Sequence, residues 1–204
     1  MNTSIIKLTV TCALAALVSM PLYAQNVSYG VKAGADFSTW GGDDVRNADL
    51  DMNIGYHAGA FAEFPVAKSM SIESGLYLSR KGFKAQEQIL GVEMDLTNTS
   101  TYLDLPVLAK FNVARNYNFF IGPQLSYILQ NKITFEAMGQ KDTEKSVTGF
   151  TKFDIGAVAG LGYRFANGML FSANYDFGLQ SLDDNTGTKA FNRVIKASIG
   201  YRIN

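Results

Sequence analysis

The chain has 204 residues, with 18 Lys+Arg balanced by 18 Asp+Glu. This balance leaves no basic excess to attract nucleic acid, so we expect no nucleic-acid partner. Cys12 is the only cysteine, which excludes an internal disulfide. The chain contains 14 Phe and 10 Tyr but only 4 Pro, which favours β-strands, since aromatic side chains suit strands and proline interrupts them.

The N-terminal residues have the features of a secretory signal peptide. Lys7 supplies a positive charge, and the apolar stretch Leu8–Met20 follows it. That stretch is shorter than the roughly 20 apolar residues of a membrane-spanning helix. Ala24 ends a small-residue cleavage site. We therefore expect residues 1–24 to be removed and residues 25–204 to form one domain.

From there to the end of the chain, apolar and polar residues alternate, which is the spacing that separates the two faces of a β-strand. No helical spacing competes with this alternation over any segment. It predicts eight strands, which in chain order are Val27–Phe37, Ile54–Phe64, Met70–Ser79, Tyr102–Phe111, Phe119–Gln130, Phe153–Phe165, Met169–Gln180 and Ile195–Ile203.

The connections between these strands alternate in length. The short ones are Pro65–Ser69, Asn112–Asn118 and Ala166–Gly168. The long polar ones are Thr39–Asn53, Ala85–Asn98, Asn131–Gly149 and Asp183–Ala190. Short turns at one end and long loops at the other are typical of an outer-membrane β-barrel.

Alternation alone does not say which face points outwards. A water-soluble barrel with a ligand inside would turn the apolar rows inwards. We favour the membrane arrangement, because the polar rows hold many glycines and serines but few charges, and aromatic residues gather at the segment ends. The apolar row that includes Ala58, Leu105 and Ala157 would then face lipid. The fold class predicted is all-β, an eight-stranded antiparallel up-and-down transmembrane β-barrel with short periplasmic turns and four longer extracellular loops.

The polar rows of this barrel carry charges of both signs, which can pair across the lumen. Pairing would avoid the cost of an isolated buried charge. We interpret them as a structural network that fills the lumen and fixes the register, with a conduction or proton path as the alternative. The predicted network consists of Glu63, Glu73, Asp104, Lys110, Asp154, Arg164, Asp176, Lys196 and Arg202.

Four stretches of the chain resemble the outer-membrane β-barrel "porin family" proteins of Bacteroidetes, a group that includes PorT-like proteins. They are Tyr102–Phe111, Phe120–Gln124, Asp154–Tyr163 and Tyr175–Leu179. The resemblance covers essentially all of residues 25–204. It implies a small barrel of the OmpA and OmpX type that is exported to the outer membrane and surrounded by lipid and lipopolysaccharide.

The end of the chain departs from this resemblance. Barrels of this kind usually finish on an aromatic residue that the barrel-assembly machinery recognises during insertion, whereas this chain finishes on Asn204. We expect Tyr201 to take the place of that aromatic residue.

Residues that could support other chemistry are few. A Ser-His-acid triad would need His57, the only histidine, and no Gly-x-Ser-x-Gly motif accompanies it. The first long loop contains several aspartates, but their spacing does not match an EF-hand. We therefore expect no catalytic residues, no cofactor and no metal. We interpret Trp40 as an interfacial anchor, with a contact to lipopolysaccharide or a partner as the alternative.

The predicted function is that of a non-enzymatic, monomeric barrel with a largely filled lumen. Its role would be structural or would lie in surface interaction through the extracellular loops, which a rigid scaffold displays. The sequence does not identify a partner for the loops. The alternatives are a narrow porin for small solutes or ions and a PorT-like accessory factor in protein secretion.

Overall fold

The computed structural model describes residues 27–42, 50–89, 92–137, 140–145, 151–181 and 190–203. Within them, no helix has the length and apolar character needed to cross a membrane. The predicted signal peptide, residues 1–24, lies outside this part of the chain, and its removal stays a prediction.

Nine β-strands lie in the described part of the chain, and every neighbouring pair is antiparallel. Their bounds are β1 Ser28–Gly41, β2 Leu50–Ala67, β3 Met70–Ile89, β4 Val92–Asn112, β5 Tyr117–Ala137, β6 Gln140–Lys145, β7 Phe153–Arg164, β8 Met169–Gly178 and β9 Phe191–Arg202.

Eight of these strands close into a ring. The order is β1, β2, β3, β4, β5, β7, β8 and β9, and β9 pairs with β1 to complete it. Ala33 on β1, for example, lies opposite both Ala58 on β2 and Ile199 on β9. Closure removes the free strand edges, whose backbone groups would find no hydrogen-bond partner in hydrocarbon. The predicted eight-stranded antiparallel barrel is confirmed.

The barrel has a turn side, where the short connections lie, and a loop side. At the loop side, β3, β4 and β5 extend well past their predicted ends, and β3 pairs with β4 as far as Ile89 and Val92. The predicted loop Ala85–Asn98 is therefore largely paired strand, and β6 lies inside the predicted loop Asn131–Gly149. These segments were predicted as loops because they are polar. A sheet with water on both faces needs no apolar row, so the alternation that marks a membrane strand is missing there.

The apolar rows face outwards, as predicted. Ala58 is exposed, Leu105 is 42% exposed and Ala157 is half-exposed. Polar residues occupy the interior, where Asp36 and Asp104 have no exposed surface at all. This inside-out distribution gives the barrel an apolar outer surface far larger than a water-soluble monomer tolerates, and it matches a hydrocarbon environment.

Aromatic rings surround the barrel at its turn side. The Phe111 and Phe119 rings stack with their centroids 5.6 Å apart. Tyr163, Phe165 and Phe171 form an edge-to-face series with centroid separations of 4.7 and 5.4 Å. Such rings suit the boundary between hydrocarbon and headgroups.

Trp40 does not belong to such a girdle. It lies on the same side of β1 as Asp36 and Ser38, which are buried in the lumen. Its ring centroid is 4.3 Å from that of Phe83. Trp40 is therefore placed above the lumen at the loop side, and its interpretation as an interfacial anchor is wrong, since alternation puts it on the inner row.

Candidate functional site

The polar interior of the barrel is the candidate site. Nine of its charged residues form two groups, one above the other. We call the first the turn-side cluster; it consists of Lys32, Glu63, Glu73, Lys110 and Arg164. We call the second the central cluster; it consists of Lys81, Asp104, Asp176 and Lys196.

Lys110 joins the two carboxylates of the turn-side cluster. Its Nζ lies 2.8 Å from Glu63 Oε2 and 2.8 Å from Glu73 Oε2. Arg164 Nη2 donates to both oxygens of Glu63, at 2.9 and 3.0 Å. Lys32, on β1, pairs with Glu73 across the intervening strand β2. These contacts connect β1, β2, β3, β4 and β7, so the cluster crosses the whole lumen.

Asp104 is the centre of the second cluster. Lys81 Nζ lies 2.8 Å from its Oδ1, and Lys196 Nζ lies 3.1 Å from its Oδ2. Lys196 also pairs with Asp176 at 2.9 Å, and Ser79 donates a hydrogen bond of 2.7 Å to Asp104. Asp104 has no exposed surface, and a charge so deeply buried needs partners on several sides.

Seven of the nine predicted network residues take part in these clusters. The other two do not. Asp154 is 4% exposed and accepts a hydrogen bond of 2.7 Å from Asn192, and it forms no ion pair with a described residue. Arg202 lies half-buried at the turn-side mouth of the lumen.

The sequence prediction missed two cations of these clusters. Lys32 lies in the polar row of β1, so the alternation of that strand was sufficient to place it in the lumen. Lys81 lies beyond the predicted end of the third strand at Ser79, although the same period extended by one step reaches it. It is 1% exposed.

Apolar side chains fill the space that the charges leave. Two groups of three buried residues extend into the lumen. Because all of them stand in the polar rows, the predicted fill of small and charged residues is incomplete. The groups consist of Phe61, Tyr77 and Leu170, and of Leu108, Phe120 and Val158.

His57 is at the middle of a buried hydrogen-bonded chain. Its Nδ1 lies 2.5 Å from Asp36 Oδ1 and its Nε2 lies 2.9 Å from Ser198 Oγ. His57 is 4% exposed. A Cβ at Gly34 would lie 2.8 Å from the ring, so a glycine is needed opposite it. The carboxylate on one ring nitrogen and the hydroxyl on the other reproduce the order of a Ser-His-acid triad.

The surroundings of Ser198 are poor for acyl transfer. The adjoining cavity has a volume of about 50 Å³, enough for water but not for an ester. Ser198 pairs with Gly34 on β1 and with Ser172 on β8, so the ladders on both sides use its neighbouring backbone amides. Acyl transfer also needs free hydrogen-bond donors that stabilise the oxyanion, and these amides are not free. The geometry instead suits a hydrogen-bonded brace across β1, β2 and β9.

The lumen widens at the turn side into a vestibule of about 440 Å³. Its charged lining consists of Glu63, Lys68, Arg164 and Arg202. The vestibule is separate from the cavity beside Ser198, since the two have different lining residues.

The described residues contain no group of three or more side chains suited to hold a metal ion. Of the aspartates in the first long loop, Asp51 is exposed on β2, whereas Asp43, Asp44 and Asp49 lie outside the described residues.

Comparison with known proteins agrees with the barrel. The structure of Ail, the attachment invasion locus protein of Yersinia pestis, is similar with a TM-score of 0.51 and 16% identity, over 88% of this chain and 100% of that one. Neisserial surface protein A is similar with a TM-score of 0.48 and 14% identity, over 87% of this chain and 99% of that one. At 16% identity, the likeness to Ail concerns the fold alone. No curated protein matches the sequence.

A family model described as "Outer membrane protein beta-barrel domain" matches residues 23–184. The match covers most of the chain, and the closed inside-out barrel agrees with it. The protein therefore belongs to the outer-membrane protein β-barrel domain family, and it is a protein of the bacterial outer membrane.

Proposed function

We propose that the protein is a sealed, monomeric, non-enzymatic barrel that acts at the cell surface through its loop side. The observation that carries the proposal is the blocked lumen. The turn-side cluster, the apolar groups and the central cluster lie one after another along the lumen. An eight-stranded barrel has an interior that its own side chains can fill, so solute flow is not the natural use of this one.

The projecting strands supply the surface. Beyond the membrane, β3, β4, β5 and β6 form a continuous sheet, in which Ile133 lies opposite Asn98 on one side and Glu144 on the other. All of β6 is exposed, and its Lys141 is 3.6 Å from Glu136. A sheet held by paired strands displays its side chains more rigidly than a free loop, which favours recognition of a partner.

The charge of this sheet indicates a kind of partner. On β6 and the facing end of β5, three lysines are balanced by three acidic residues. A second structure of Ail contains the heparin analogue sucrose octasulfate, but a balanced surface does not favour such a polyanion here. A protein surface with its own mixed charges fits better. The residues are Lys132, Lys141, Lys145, Glu136, Asp142 and Glu144.

Adhesion assays test the surface role. Cells that display the intact protein would be compared with cells displaying a triple Lys141→Ala, Asp142→Ala, Glu144→Ala variant, on immobilised matrix proteins and in self-aggregation. We expect the variant to reach the outer membrane normally and to adhere less. Equal adhesion of the two on every surface would contradict the proposal.

Conductance separates this function from a narrow porin. In planar bilayers, the sealed lumen should give no current above background. The matched variant Leu125→Ala, on the lipid-facing surface, should also give none. Lys110→Ala opens the turn-side cluster alone, so it should also give no current, because the apolar groups and the central cluster still fill the lumen. Regular single-channel steps from the unaltered protein would overturn the proposal in favour of transport.

The PorT-like role in secretion remains an untested alternative. Neither the barrel nor the charged clusters favour it over the surface role. Deleting the gene and measuring the secreted proteins tests it, and an unchanged set would remove it.

A further inference from the structure

The turn-side end of the barrel is strongly basic, although the chain as a whole is neutral. Among the described residues there, the acidic side chains are Glu63 and Glu73, and both already pair with Lys110. The basic side chains of the lumen and of the short turns outnumber them; they are Lys32, Lys68, Lys110, Arg115, Arg164 and Arg202.

Part of this positive charge converges on the vestibule. Lys68, Arg164 and Arg202 line it, together with Glu63, and its volume of about 440 Å³ lies in the range of small-molecule sites. Glu63 pairs with Arg164 and Lys110 and accepts a hydrogen bond from Ser71, which leaves Lys68 and Arg202 without an acidic partner among the described residues.

Hydrogen-bond donors also remain unused. Arg164 contacts Glu63 through Nη2. Arg202 forms no ion pair with any residue that the structure describes. The guanidinium donors of Arg202 therefore remain available to an acceptor supplied from outside the chain.

We infer that the turn-side vestibule is a binding site for a small phosphate-bearing anion, held by Arg164 and Arg202. Guanidinium groups match the oxygens of phosphate in pairs and always carry charge. Lys68, exposed at the rim, adds attraction for the incoming anion. The phosphate belongs either to a soluble periplasmic compound or to the headgroup of an anionic phospholipid. The site is independent of the surface role, since it lies at the opposite end of the barrel.

Calorimetry on the refolded protein tests the inference. Inorganic pyrophosphate would be titrated into the barrel in zwitterionic detergent at low salt. The variant is Arg202→Gln, which breaks no ion pair of the described residues, and the matched control is Arg115→Gln, an exposed arginine of a short turn that does not line the vestibule. The heat-dependent mobility shift in SDS gels checks that both are folded.

We expect binding by the unaltered protein and by Arg115→Gln, and an affinity about tenfold or more lower for Arg202→Gln, because a charge-assisted contact is lost. The absence of binding, or equal weakening by both substitutions, would overturn the inference, since equal weakening would mean attraction by net charge alone.

A second arm identifies the source of the phosphate. The barrel would be placed in nanodiscs of phosphatidylcholine or of phosphatidylglycerol. If the headgroup is the ligand, phosphatidylglycerol blocks the pyrophosphate titration and stays bound in native mass spectrometry, except in Arg202→Gln. If a soluble compound is the ligand, the titration is the same in both lipids. Either result supports the site, whereas loss of titration in both lipids contradicts it.

Discussion

For single residues of the lumen, the alternation of the sequence predicts which way a side chain points but not which side chains it contacts. Period two predicts correctly that Asp104 and Lys196 point inwards, because every second residue of a strand shares a face. It cannot predict that they meet, since they are 92 residues apart and the register of the three strands between β4 and β9 in the ring decides it. For the same reason the contacts of His57, 21 residues from Asp36 and 141 from Ser198, were not predictable.

Lys110 should be the most sensitive position of the turn-side cluster. Lys110→Ala leaves Glu63 and Glu73 as neighbouring buried carboxylates. Removing one partner of a buried ion pair typically costs about 3–5 kcal/mol of unfolding free energy. We expect a loss near the lower bound, because Lys32 still pairs with Glu73 and Arg164 with Glu63. The measurement is denaturant unfolding in lipid vesicles, followed by the fluorescence of Trp40, the chain's single tryptophan.

The control for this loss is Lys68→Ala, which alters an exposed turn residue. A change within about 0.5 kcal/mol is expected there, as for most surface substitutions. Equal stability of the two variants would show that the lumen pairs do not hold the barrel together.

The brace formed by Asp36, His57 and Ser198 permits a double-mutant cycle. His57→Ala should destabilise the barrel by about 1–3 kcal/mol, because it leaves the buried Asp36 and the half-buried Ser198 without the hydrogen bonds that His57 makes. In the double variant His57→Ala, Asp36→Ala, the total should be smaller than the sum of the single losses, since the second change removes the orphaned carboxylate. Strict additivity would mean that the two side chains do not interact.

At the scale of whole strands, the sequence was informative within the membrane and poor beyond it. All eight ring strands were predicted, because each needs an apolar row for lipid and a polar row for the lumen. The outer parts of β3, β4 and β5 need no apolar row, so their alternation is weak and they were predicted as loops. Strand β6 was not predicted at all. Register shifts at Met52/His57 and at Thr101/Tyr102 lie near the level at which the strands leave the regular barrel and continue into the projecting sheet.

The turn between β7 and β8 depends on Gly168. Its φ is 88°, a left-handed conformation that suits glycine, and an added Cβ would lie 3.0 Å from the carbonyl oxygen of Arg202. We expect Gly168→Val to lose about 1–2 kcal/mol and Gly168→Asn to lose less, because asparagine tolerates this conformation better. Unfolding in vesicles measures both, and the reverse order would contradict the account of the turn.

For the whole molecule, the decisive property is the inverted distribution of side chains. A closed ring of strands with Asp104 and Lys81 inside and Leu105 outside is stable only if hydrocarbon surrounds it. The same inversion explains the ion pairs of the lumen, since charges that cannot reach water must pair with each other. Composition and alternation were sufficient to predict this arrangement, whereas the apolar groups inside required the three-dimensional packing.

Tryptophan quenching by lipid tests this inversion most directly. In a Trp40→Phe background, Leu105→Trp and Tyr102→Trp would be compared in vesicles of brominated phospholipid. The two positions lie three residues apart on β4, one 42% exposed and the other 2% exposed. The account predicts strong quenching at position 105 and weak quenching at position 102. Stronger quenching at position 102 would place the polar row against lipid and contradict the barrel described.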